Sequence, residues 1–101
     1  MKKLVIPFLA AALSAASFGA LAGDPVAGKA KSMTCAGCHG MNGISSNGMW
    51  PNLAGQKEAY LASQLKMFRD GKRNNAMMTA MAKGLSDTDI ANLSAYYAGL
   101  K

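Results

Sequence analysis

The chain has 101 residues, half of them hydrophobic, and eleven basic against five acidic residues give it a formal charge of +6. That length leaves room for one ordinary domain and no more. Its two cysteines stand three positions apart and would close only a tiny loop, which excludes a disulfide scaffold.

The first segment reads as an export signal rather than as part of the fold. Lys2 and Lys3 form a positive start, Leu4 to Leu13 an apolar stretch, and Ala20-Leu21-Ala22 an A-x-A cleavage pattern. A membrane anchor fits less well. The apolar stretch is shorter than the ~20 residues of a bilayer span, and Pro7, Ser14, Ser17 and Gly19 interrupt it. Cleavage after Ala22 predicts a leader over residues 1–22 and a single exported domain over 23–101. Losing Lys2 and Lys3 lowers the formal charge from +6 to +4. So short a domain buries little surface and usually needs a staple such as a metal or cofactor.

Asp24-Pro25 predicts a helix start, with Asp as N-cap and Pro in the first turn. This helix is expected to reach about Thr34, with Val26, Ala27, Ala30 and Met33 along one side. A second helix is expected from about Lys57 to Asp70, where Leu61, Leu65 and Phe68 recur at helical spacing and Gly71 follows as a stop. A third opens at Ser86, with Asp89 three residues on and Leu85 and Ile90 placed as a hydrophobic staple. Ile90, Leu93 and Tyr97 then line one face. Gly40 to Gly55 and Gly71 to Gly84 read as long loops, a feature that in a small domain points to function. Neither alternates as a strand does.

The chemistry lies at Cys35-Ala36-Gly37-Cys38-His39, which matches the C-x-x-C-H signature of covalent haem attachment. Thiols three positions apart reach the two vinyl groups along a haem edge, and the adjacent imidazole meets the iron. A zinc site would need about four Cys or His ligands, and the chain offers three. A thioredoxin-like pair would need a βαβ pattern. A plain disulfide leaves His39 without a purpose.

His39 is the only histidine, which excludes a second imidazole on the iron within one chain. Methionine is the remaining common axial ligand and favours the reduced metal. Met33 and Met67 fall in predicted helices and are expected to fill the core. Met41 lies too close to His39 to cross the haem plane. Met77, Met78 and Met81 lie in the second loop and are the candidates.

The region from Gly23 to Lys101 resembles a class I c-type cytochrome, of the small bacterial single-haem kind and like one domain of the periplasmic two-haem cytochromes. The resemblance rests on Cys35-Ala36-Gly37-Cys38-His39-Gly40, Pro51-Asn52-Leu53-Ala54-Gly55-Gln56, Tyr60-Leu61 with Gln64-Leu65, and Gly71-Lys72-Arg73. It continues with Met78 and with Leu85-Ser86-Asp87 leading to Ala95-Tyr96-Tyr97. It implies an all-α cytochrome c fold of three to four helices and long loops wrapped around one haem. Cys35 and Cys38 would be the thioethers and His39 and Met78 the axial ligands, with Met81 the runner-up. The Pro51 carbonyl would accept from the second ring nitrogen of His39, and Leu53 would pack on the haem. Gly28 and Tyr96 would let the first and last helices cross closely. Arg73 is either a partner for a haem propionate or a solvated surface charge.

With Asp24, Asp87 and Asp89 used at helix starts, no carboxylate pair suggests acid–base work. The expected role is a monomeric periplasmic one-electron carrier, not an enzyme. It would run between a quinol-oxidising complex and a terminal oxidase, reductase or peroxidase; the alternative is the haem subunit of a larger dehydrogenase or reductase. Lys66, Arg69, Lys72, Arg73 and Lys83 are either solvated surface charges or a patch that steers docking to an acidic partner. Nucleic acid suits neither the exported location nor the haem motif.

Overall fold

A computed structural model describes residues 23–100, and the expected leader over residues 1–22 lies outside the described residues. Five α-helices follow in order: α1 Pro25–Lys31, α2 Ala36–His39, α3 Glu58–Arg69, α4 Ala76–Ala82 and α5 Asp87–Ala98. A single 3-10 turn, Ser32–Thr34, joins α1 to α2. No strand occurs among the described residues, and no helix there is long and apolar enough to cross a membrane.

The starts of α1 and α5 follow their caps. Asp24 Oδ1 accepts from the Val26 amide at 2.9 Å, and Pro25 needs no amide partner. Ser86 Oγ accepts from the Asp89 amide at 3.0 Å while Asp89 Oδ2 accepts from the Ser86 amide at 3.1 Å, a reciprocal capping box. The Ser86 amide, aided by the Ser86 hydroxyl and Lys31, holds the Asp89 carboxyl below the usual carboxylate range against the opposing pull of desolvation.

The second expected loop contains a helix. Asn75 Oδ1 accepts from the Met78 amide at 3.0 Å and launches α4, whose Ala, Met and Thr residues sustain about two turns. Ala82 anchors it in the interior. With α2 also helical, the described residues hold five α-helices rather than the three to four expected.

Helices α3 and α5 supply a core of Leu61, Leu93 and Tyr97, against which Leu53, Leu65, Leu85, Tyr96 and Leu100 pack. Phe68 and Ile90 are also buried. The apolar side of α1 behaves differently from expectation. Val26 is 78% exposed and Met33 57%, so Met33 is not core filler. The inward side is Gly28 and Ser32 instead, because α1 meets α5 too closely for larger side chains. Met67 is half-buried, with Ser63 and Gln64 near its sulfur.

The α1–α5 crossing depends on Gly28. A Cβ there would sit 2.9 Å from the Tyr96 Cβ and would overlap the Asn92 carbonyl. The Asp24 amide donates to Asn92 Oδ1 at 2.8 Å and ties the same two helices. Gly28→Ala is expected to cost about 1–3 kcal/mol, since overpacking forces the backbones apart. That corresponds to a fall in Tm of roughly 4–8 °C per kcal/mol for a domain of this size. Thermal unfolding followed by far-UV circular dichroism checks it, and an unchanged Tm would show that the crossing relaxes freely.

Candidate functional site

Cys35, Cys38 and His39 project from one helical turn. The His39 amide donates to the Cys35 carbonyl at 3.0 Å and the Gly40 amide to Ala36 at 2.9 Å. Positions separated by three and four share a helix face, so both sulfurs and the imidazole address one region. Gly40 then turns the chain with φ of +88°, a conformation that avoids the Cβ clash any other residue would make with the Ile44 backbone.

The long loop that follows is folded back on itself. The Gly43 carbonyl accepts from the Leu53 amide at 2.7 Å and the Ala54 amide at 3.0 Å, and the Ser45 amide donates to Asn52 Oδ1 at 2.7 Å. These contacts carry Pro51 back to the haem motif. His39 Nδ1 lies 2.8 Å from the Pro51 carbonyl, and the imidazole is only 6% exposed. A carbonyl only accepts, so Nδ1 is the donating nitrogen and, in the neutral imidazole, Nε2 carries the lone pair. That is the form an imidazole takes as a metal ligand, with its orientation set by the second nitrogen. Leu53 is half-buried against the core, and Trp50 is half-buried just before Pro51. The Gly55 amide donates to the Tyr97 carbonyl at 2.9 Å and fastens the loop to α5.

Cys35 and Cys38 are both free thiols, and burial pushes the Cys35 thiol up. Among the described residues no group of three or more His, Cys, Asp and Glu side chains converges on an ion. Two free sulfurs and one imidazole on a single helical turn fit a prosthetic group that the sulfurs would grip and whose metal the imidazole would meet. Of the candidate methionines on α4, Met78 is half-buried, while Met77 and Met81 are 55% and 47% exposed.

Two of the expected steering charges are already engaged. Arg69 pairs with Asp70 at 3.0 Å and Asp87 at 2.7 Å and donates to the Leu85 carbonyl, joining the end of α3 to the start of α5. Arg73 stacks over the Phe68 ring at 4.6 Å and binds Gln64 Oε1. Lys66, Lys72 and Lys83 remain exposed and without an ion pair among the described residues. Sequence reasoning missed the Gly43 carbonyl, which positions Pro51 through contacts ten and eleven residues away, and the buried hydroxyls of Ser32, Ser94 and Tyr97. For the hydroxyls a signal existed: Ser94 and Tyr97 share a helix face that otherwise reads as apolar.

Residues 25–101 match the family model described as cytochrome c. Cytochrome c-554(548) of Halomonas halodenitrificans is 52% identical over 79 residues, which cover 75% of this chain and 95% of that protein. The solved structure of cytochrome c4 from Acidithiobacillus ferrooxidans superposes with a TM-score of 0.69 at 33% identity, over 72% of this chain and 47% of that one. A chain of the thiosulfate dehydrogenase of Marichromatium purpuratum superposes with a TM-score of 0.70 at 34% identity, over 76% of this chain and 19% of that one. The chain thus spans about half the length of the cytochrome c4 and nearly all of the cytochrome c-554(548). It belongs to the cytochrome c family, electron-transfer proteins that hold haem c covalently, here with Cys35 and Cys38 in the C-x-x-C-H positions.

Proposed function

We propose that this cytochrome is a periplasmic one-electron carrier that binds haem through Cys35 and Cys38 and its iron through His39 and Met78. The observation that carries the reading is the His39–Pro51 hydrogen bond of 2.8 Å, in which Nδ1 donates to the carbonyl and Nε2 is left for the metal in a buried setting. Haem supplies a reversible one-electron couple when bound. The residues do the rest. The thioethers make loss of the group impossible without breaking a covalent bond, and Pro51 holds the imidazole against rotation. Leu53 and the core behind it exclude water from that side. With His39 and Met78 both holding the iron, no coordination position would be left for substrate, and the role would be transfer rather than bond chemistry.

The leader pattern supports export, and transfer of electrons implies redox partners. Lys66, Lys72 and Lys83 are exposed positive charges outside any ion pair among the described residues, which suits docking to an acidic surface on a quinol-oxidising complex or a terminal oxidase or reductase. Steered encounters weaken as salt screens them. The second-order rate of electron transfer to such a partner is therefore expected to fall about tenfold between low and physiological ionic strength. Stopped-flow measurement checks this, with sedimentation reading a monomer. The likeness to part of a thiosulfate dehydrogenase chain favours one second reading, a haem subunit of a larger enzyme. Stable co-purification with a catalytic chain, with no salt dependence, would replace the shuttle by that reading.

A further inference from the structure

Tyr97 is 3% exposed, yet its hydroxyl has no hydrogen-bond partner among the described residues. A buried hydroxyl left without a partner costs about 1–3 kcal/mol. Phenylalanine would fill the same space without that cost, so the oxygen calls for a physical reason.

The surroundings narrow it. Cys35 packs against the cluster that contains Tyr97. The hydroxyl ends beside the Cys35 sulfur and beside Ser32, which is buried at the end of α1. The Ser32 proton is already committed, donating to the Lys29 carbonyl at 2.7 Å. Thr34 Oγ1 stands 4.0 Å from the same sulfur and donates to the Lys31 carbonyl at 3.4 Å. The chemical state of the sulfur then decides the geometry. As a thiol, Cys35 has a proton of its own to place. As a thioether, it has only lone pairs and can only accept. Burial keeps the Tyr97 phenol protonated far beyond its usual range, so it is a standing donor.

We propose that Tyr97 is a positioning residue for the prosthetic group, its hydroxyl donating a hydrogen bond to the Cys35 sulfur once that sulfur is a thioether. The proposal rests on haem attachment at Cys35 and Cys38. The bond restores the missing partner of a buried donor and fixes the rotation of the Cys35 linkage. It also turns the positive end of the O–H dipole toward the group. Oxidation adds positive charge to the haem, and in a low-dielectric interior that dipole opposes it. Tyr97 therefore raises the reduction potential.

Haem-loaded wild type, Tyr97→Phe and Ser32→Ala decide the matter with three readouts. The alkaline pyridine spectrum reports attachment, spectroelectrochemistry the reduction equilibrium, and resonance Raman the carbon–sulfur linkage. Tyr97→Phe is expected to keep its haem, move the carbon–sulfur bands, and shift the reduction equilibrium about two- to tenfold toward the oxidised form, the scale of one hydrogen bond. Ser32→Ala is expected to leave all three readouts as in wild type. Unchanged potential and bands in Tyr97→Phe would overturn the proposal. So would a Ser32→Ala protein that shifts as far as Tyr97→Phe, because the hydroxyl would then serve Ser32. Wild-type protein without covalent haem would overturn the attachment reading instead, and the pyridine spectrum alone tells the two failures apart.

Discussion

Alanine in place of His39 is expected to abolish the low-spin spectrum of the haem-loaded protein and its reversible one-electron couple. The wild-type imidazole is buried, with Nδ1 held 2.8 Å from the Pro51 carbonyl. His39→Ala removes the proposed metal ligand and leaves the Pro51 carbonyl without its partner, at about 1–3 kcal/mol for a buried group. The vacated position is open to water or to added ligands, so the reduced variant should bind carbon monoxide rapidly where wild type resists. Added imidazole should restore part of the low-spin spectrum. Pro51→Ala is the informative companion. The bond uses the backbone carbonyl, which alanine keeps, so the spectrum should survive while stability falls by about 0.4–1 kcal/mol as the unfolded loop gains freedom. Optical titrations of both variants check the pair. A low-spin His39→Ala spectrum without additives would show that another group holds the iron on that face.

Local signals carried most of the fold. Asp24-Pro25 and the Ser86–Asp89 box set helix starts through contacts within three residues, and the structure places α1 and α5 there. Leu61 and Phe68, and Ile90, Leu93 and Tyr97, are buried as their spacing predicts. Failures arose where distant chain segments decide. The apolar spacing of Val26, Ala30 and Met33 resembles a core stripe, but the α1–α5 approach at Gly28 turns that side outward. Helix α4 was legible in principle, because Asn75 precedes a run of Ala, Met and Thr. Its shortness and the Gly-rich flanks hid it. The haem motif was evident from five consecutive residues, because attachment chemistry demands a fixed local spacing. The Gly43 carbonyl that returns Pro51 to His39 and the surroundings of the Tyr97 hydroxyl have no such local signature. They depend on how the loop and α5 pack together.

On the proposal that Met78 holds the iron, Met78→Ala is expected to be the second large effect. Asn75 Oδ1 accepts from the Met78 amide at 3.0 Å, so the cap holds the backbone of this residue in the first turn. Its side chain is half-buried, while those of Met77 and Met81 are largely exposed. Met77 lies about 100° around the helix from Met78, and Met81 lies about 4.5 Å further along the axis. Either could replace Met78 only if α4 turned or slid, against the buried Ala82 that anchors its far end. Met78→Ala should therefore lose the methionine–iron charge-transfer band and lower the potential by more than about 100 mV. At about 59 mV per decade for one electron that is some two orders of magnitude in the reduction equilibrium, well within the span that axial ligands control. Met81→Ala should keep the band and shift the potential little. The reverse pattern would assign the ligand to Met81. It would also mean that α4 moves by nearly a turn when haem is attached, since a thioether at position 81 must otherwise reach from an exposed face.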